Sequence, residues 1–279
     1  MKSLFFSLLL IPGFLQAQRW HVNLTGGVAN YSGDLQSKAF TFDQSFFSFG
    51  AGVQYDITRN FSAISNIMIL KVGASDQYNK PDLVFRNLSF QNNLTEWNLL
   101  GEYTFLDITQ KNFSPFLFAG IAVFHNNPYA YDTLGQKTYL RPLSTEGEGL
   151  AQYPGQKPYS QTQFSIPFGG GIKFRISESV VLAWEIGFRK TFTDYIDDVS
   201  TFYVDKTVLQ NAKGPIAVEM AYRANELKGG DQTYPVSGTK RGSSQYDDIY
   251  YYTGIRISIA LINYKMYGRG KTDCPPPVQ

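Results

Sequence analysis

The chain has 279 residues and carries 25 Lys and Arg against 23 Asp and Glu, a formal net charge of +2. Only 17% of residues are charged while 16% are aromatic; a soluble domain carries roughly 25% charge, and nucleic acid asks for a concentrated basic face that so balanced a chain lacks. A single cysteine, Cys274, excludes an internal disulfide framework, and two histidines leave little material for a metal centre.

Residues 1–17 read as a secretory signal peptide. Lys2 supplies the positive start, residues 4–11 a short apolar run, and Pro12 and Gly13 a break before the Leu15-Gln16-Ala17 cleavage site. Position 18 is Gln, so a lipoprotein anchor at that point is not expected. The mature chain is then about 260 residues long, room for one large domain or two small ones. Without Lys2 it has 24 basic and 23 acidic side chains, a net charge of +1. After the signal, the longest fully apolar run is 116–124, nine residues. A spanning helix needs about 20, so a membrane form of this chain must be a β-barrel.

The period of the sequence is two. Residues 19–31 alternate Trp20, Val22 and Leu24 with His21, Asn23 and Thr25 until Gly26-Gly27 blurs the register. Residues 45–57 place Phe47, Phe49, Ala51, Val53 and Tyr55 on one face. Segment 61–75 is strongly apolar and its faces stay open. In 89–106, Trp97, Leu99, Tyr103 and Phe105 oppose Glu96, Asn98, Glu102 and Thr104. Segment 114–125 is again apolar without assignable faces. In 162–176, Phe164, Ile166, Phe168, Ile172 and Phe174 oppose Gln163, Ser165, Lys173 and Arg175. In 180–192, Leu182, Trp184, Ile186 and Phe188 oppose Ala183, Glu185, Gly187 and Arg189. The last segment, 246–265, sets Ile249, Tyr251, Ile255, Ile257 and Ile259 against Gly254, Arg256 and Ser258.

These are eight strands of about the length a tilted membrane strand requires. Their links alternate. Three are short (58–60, 107–113, 177–179) and four are long (32–44, 76–88, 126–160, 197–245). That alternation is the layout of an outer-membrane barrel, with tight turns in the periplasm and long loops outside. The expected fold is therefore all-β, an eight-stranded antiparallel transmembrane β-barrel in contact with outer-membrane lipid. A secreted lipocalin-like barrel or β-sandwich also alternates, with its apolar face inward. Here the face opposite the apolar residues holds Glu and Arg, which an apolar core would bury at high cost.

Glu96, Glu102, Glu185, Arg189 and Arg256 are expected to face the lumen. A gate, a proton path or a carboxylate pair is one reading of them. A charge-balanced filling is the other and is preferred, because eight strands enclose room for little more than side chains. His21 belongs at the periplasmic end and His125 at the outer end. Neither has metal partners, and no G-x-S-x-G nucleophile motif is present. Asp194, Asp197 and Asp198 offer oxygen ligands at short spacing but no EF-hand pattern, so loop capping is preferred to calcium. Tyr103, Phe105, Tyr195, Tyr250, Tyr251, Tyr252, Tyr264 and Tyr267 read as interfacial aromatic girdles, and 143–157 as a mobile outer loop. No catalytic, cofactor-binding or metal site is assigned. The tail, 268–279, contains Cys274 followed by three prolines, an extended segment that cannot join a sheet. Its thiol is either a contact to a partner chain or part of an idle terminus.

Several stretches resemble the PorG-like outer-membrane barrel family of the type IX secretion system. They are Asn30-Tyr-Ser-Gly-Asp-Leu35, Arg86-Asn-Leu-Ser-Phe90, Ser114-Pro-Phe-Leu-Phe-Ala-Gly120, Leu143-Ser-Thr-Glu-Gly147, Ile166-Pro-Phe-Gly-Gly-Gly171 and, most distinctive, Arg189-Lys-Thr-Phe-Thr-Asp-Tyr-Ile-Asp-Asp-Val-Ser200. The resemblance covers the mature chain. It implies a non-enzymatic barrel (18–267) with a periplasmic tail (268–279), docking the ring that a lipoprotein forms with its periplasmic partner. The alternatives carried forward are an outer-membrane enzyme acting on lipid or peptide, with His125 and lumen carboxylates as catalysts, and a narrow channel or surface-binding barrel.

Overall fold

A computed structural model describes residues 19–38 and 41–261; the signal segment, the tail, Tyr264, Tyr267 and Cys274 lie outside the described residues. Eight long strands form the wall: β1 (Arg19–Ser32), β2 (Phe46–Asp56), β3 (Phe61–Ser75), β4 (Ser89–Thr104), β5 (Phe113–His125), β8 (Thr162–Arg175), β9 (Val180–Thr191) and β10 (Ile249–Ala260). Two three-residue strands, β6 (Tyr129–Tyr131) and β7 (Lys137–Tyr139), form a small hairpin beside β4. The wall strands pair antiparallel in the order β3-β2-β1-β10-β9-β8-β5-β4, and β3 pairs with β4 to close the ring. Closure satisfies every wall strand on both sides, the condition for a backbone to cross lipid.

Each strand sends alternate side chains to opposite sides of the wall, and the polarity of the two sides is inverted relative to a soluble protein. On the outside, Phe47, Ile67, Leu117, Ile121 and Phe164 are 56–86% exposed. Trp97, Trp184, Phe168 and Ile255 stand with them at 41–49%. On the inside, Glu96, Glu102 and Asn98 have no exposure at all. A monomer in water rarely exposes an apolar patch beyond a few hundred Å², and this one runs round the whole ring. The protein is an eight-stranded barrel of the bacterial outer membrane. The faces left open in sequence are now assigned: β3 turns Ile64, Met68, Leu70 and Val72 inward and Ile67 and Ile69 outward, and β5 turns Phe116, Phe118 and Phe124 inward.

The short links 57–60, 105–112 and 176–179 sit at one end. The links 33–45, 76–88, 126–161 and 192–248 sit at the other, and they build a packed cap. In the last of them, Asp205 accepts from the backbone amides of Thr207 (2.8 Å) and Val208 (3.0 Å) and so starts α1 (Lys206–Lys213). Gly214, at φ 85°, ends α1, and Pro215 opens α2 (Pro215–Ala221). Leu209, Ala217 and Ala221 pack there with Leu150 and Val204. A second cluster joins cap to barrel: Leu35, Leu88, Leu140, Ile196 and Met220 from four loops pack with Ala29, Leu70, Phe90, Leu94 and Phe124 from the wall.

Ile67→Arg, on the lipid side of β3, is expected to destabilise the barrel by about 2–4 kcal/mol if position 67 lies near the bilayer midplane. Reversible urea unfolding into lipid vesicles measures it.

Candidate functional site

The lumen holds two buried ionic networks. In the upper one Glu96 (β4) receives a two-point contact from Arg189 (β9), Nε to Oε2 at 3.1 Å and a terminal nitrogen to Oε1 at 3.2 Å. Its carboxylate also accepts from the Tyr250 hydroxyl at 2.7 Å and from Asn98 Nδ2 at 2.7 Å, and Asn66 Nδ2 continues the chain to Asn98 at 3.2 Å. In the lower one Glu102 lies between Lys173 Nζ and a terminal nitrogen of Arg256. Lys173 also donates to the Thr104 hydroxyl at 3.0 Å. Arg256 Nε reaches Glu185 at 3.2 Å, and the Tyr252 hydroxyl donates to Glu185 at 2.9 Å.

All five lumen residues named from sequence are inside. Glu185 and Arg189, four apart on one strand, belong to different networks. Sequence reasoning left out Lys173, Tyr250 and Tyr252 as network members. Their parity carried the signal, since the two tyrosines stand on the same side of β10 as Arg256. Tyr250–Tyr252 are no girdle: Tyr250 and Tyr252 point into the lumen, and Tyr251, on the outer side, is covered by the first loop. The Tyr251 hydroxyl accepts from Thr41 N (2.8 Å) and donates to Thr41 O (2.9 Å). Tyr195 is also no girdle residue; it stacks on Tyr159 in the cap, ring centroids 4.8 Å apart. Tyr103 and Phe105 are exposed on the outer wall, edge to face at 5.3 Å.

Three carboxylates (Glu96, Glu102, Glu185) thus meet three cations (Lys173, Arg189, Arg256). Met68, Phe116, Phe118 and Phe124 also turn inward and are buried, with the Phe116 ring 5.1 Å from Lys173 Nζ and 5.3 Å from the Arg256 guanidinium. His21 lies 3.7 Å from Asp56 at the end of the wall that carries the short turns, and His125 is exposed at the opposite end. The structure does not bring the two histidines together.

The cap is more ordered than its composition suggests. Segment 143–157, read from sequence as a mobile loop, supplies its ionic centre. Glu146 accepts from Ser200 N (3.0 Å), Thr201 N (2.8 Å), the Thr201 hydroxyl (2.7 Å) and Arg241 (2.9 Å), wholly buried. Glu148 is pushed up to about 8 by burial, with Asp198 and Glu146 adding to it. The three aspartates of 194–198 are buried as well. Asp198 accepts from the Thr145 (2.6 Å) and Tyr159 (2.7 Å) hydroxyls, and of the three Asp197 alone shows the expected loop-capping bond to a backbone amide, from Val199 at 2.9 Å. Among the described residues no group of three or more His, Cys, Asp or Glu is arranged to hold a metal ion.

Residues 2–210 match the family described as "Domain of unknown function (DUF6089)". The chain belongs to this family. The DUF6089 match includes Glu96, Glu102, Lys173, Glu185 and Arg189 and ends inside α1, so β10 with Arg256 lies beyond it. No curated protein matches the sequence. Among solved structures the chain is similar to Neisserial surface protein A, at 12% identity over 86% of this chain and 96% of that one, TM-score 0.42. It is also similar to Ail, the attachment invasion locus protein of Yersinia pestis, solved with the heparin analogue sucrose octasulfate (8% identity, 87% and 97%, TM-score 0.40). Outer membrane protein W of E. coli is a third (11%, 86% and 98%, TM-score 0.36).

At the short-turn end, link 105–112 is tied to link 57–60 and to the last residue of β8. Arg59 reaches Asp107 at 3.5 Å, and Arg175 donates to Thr109 O at 3.1 Å. The turns of this DUF6089 chain stand together at one end of the barrel.

Arg189→Met leaves Glu96 buried without its cation, and a loss of about 3–5 kcal/mol is expected. Adding Glu96→Gln to it is expected to recover most of that loss in a double-mutant cycle of reversible unfolding.

Proposed function

We propose that this barrel is a non-catalytic outer-membrane anchor that docks periplasmic components of a type IX-like protein secretion machine. The observation that carries the reading is the paired charge of the lumen. Glu96, Glu102 and Glu185 are each held by a cation, which favours a structural filling over a catalytic acid or base. A conducting pore is usually built from 16 or more strands. His125, which the enzymatic reading pairs with lumen carboxylates, stands on the exposed outer parity of β5, whereas Glu96 and Glu102 are enclosed.

What remains for a partner on the periplasmic side is the three short turns, together with the tail that carries Cys274. The likeness of 189–200 and the other quoted stretches to the PorG-like family supports a ring of a lipoprotein and its partner as the docked component. The ion networks then act as filling that stiffens the anchor.

Crosslinking from Cys274, and from a cysteine placed at Arg59, is expected to capture the lipoprotein–partner ring in intact cells. Deletion of the gene is expected to block export of type IX cargo while other outer-membrane proteins assemble normally. Normal cargo export in the deletion strain contradicts the proposal. Planar-bilayer recording checks the lumen separately, with no steady conductance expected.

A further inference from the structure

Where cap meets barrel, one hydroxyl is asked to serve two acids. The Tyr31 hydroxyl, at the outer end of β1, lies 2.6 Å from Asp197 Oδ2 and 2.8 Å from Asp248 Oδ1. All three side chains are buried, with Tyr31 1% exposed and both aspartates at zero. A phenol has one hydrogen to donate. It can satisfy one carboxylate; the other contact needs a hydrogen supplied by the second carboxyl. With both aspartates ionised, two buried anions would face one donor.

The surroundings leave no substitute for that hydrogen. Asp197 Oδ1 is taken by Val199 N (2.9 Å), and Asp248 Oδ2 by Ile196 N (2.8 Å). Arg86, the cation nearest on the 76–88 loop, is committed to Asp76 through two 2.7 Å bonds. Arg241 is committed to Glu146. Asp34 on the first loop lies near Asp197, and Asp194, itself raised to about 9 by burial, is a further acid facing Asp248. Asp194 is about nine-tenths buried, and its Oδ2 has no hydrogen-bond partner. Gly33 packs directly on the joint: a Cβ there would stand 2.0 Å from both the Tyr31 hydroxyl and Asp248 Oδ1.

We infer that Tyr31, Asp197 and Asp248 form a proton-binding joint that fastens the extracellular cap to the barrel and releases it when the shared proton is lost. The joint ties Tyr31 at the end of β1 to both ends of segment 192–248, so its opening loosens that segment's hold on the wall and leaves it on the packing of Ile196 and Met220.

Burial raises Asp197 from its ordinary 3.8 to about 8, and the charge of Asp34 adds to the shift. Burial, then Asp197 and Asp194, push Asp248 well above its ordinary value. The closed cap therefore binds the proton more tightly than the open one. Closure is firmest below about pH 4 and weakens as pH rises toward 8, with the open-to-closed ratio growing about tenfold per pH unit for one proton released.

The test is limited proteolysis of segment 192–248 in the full-length barrel reconstituted in vesicles, from pH 6 to 8, with wild type, Asp248→Asn and Asp197→Asn compared at each pH. Nicking of wild type is expected to rise about tenfold per pH unit. In either variant, where an amide supplies the hydrogen permanently, the slope is expected to flatten. If one variant fails to assemble, the other decides. Equal slopes in wild type and variants, or a wild type whose nicking does not change with pH, overturn the inference. Loss of the secretion role alone would leave these slopes unchanged.

Discussion

The pairing of charge inside the barrel is the constraint on which the rest depends. Eight strands turn most of their apolar side chains to lipid, and Glu96, Glu102, Lys173, Glu185, Arg189 and Arg256 are driven inward. Carboxylates and guanidinium groups taken out of water are costly unless each meets an opposite charge and further hydrogen bonds. Glu96 with Arg189, and Glu102 with Lys173 and Arg256, meet that demand, and Tyr250, Tyr252 and Asn98 occupy remaining acceptor positions.

Much of the wall was legible because alternation is the one pattern a lipid-facing strand must keep. Where the inner face is polar, as at Glu96, Asn98 and Glu102 on β4, the two sides separate in sequence. Where the inner face is itself apolar, the pattern fades. β3 turns Met68, Leu70 and Val72 inward against Ile67 and Ile69 outward, and β5 sets Phe116 and Phe118 inside against Leu117 outside. Both parities are then oily, and sequence offers no means of choosing. Tyr250 and Tyr252 were misread for a related reason: a tyrosine near a strand end suits a membrane interface, yet their shared parity with Arg256 placed them inside.

The cap was not legible at all. Its core is assembled from single residues scattered over four links, among them Leu35, Leu88, Leu140, Ile196 and Met220. Outside α1 and α2 these loops show no periodic apolar face. Glu146 looks like a solvated loop residue until Ser200, Thr201 and Arg241 are brought to it from more than 50 positions away. The DUF6089 chain thus combines a wall fixed by local alternation with a cap fixed by long-range contacts, and its buried acids sit where the two meet.

The central claim, that the apolar parity faces lipid and the polar parity is enclosed, is tested most directly by spin labels at four adjacent positions of β3 in the reconstituted barrel. Labels at Ile67 and Ile69 are predicted to be relaxed strongly by a lipid-soluble quencher. Labels at Asn66 and Met68 are predicted to be shielded from it. Equal relaxation at all four positions, or the reverse order, would contradict the account.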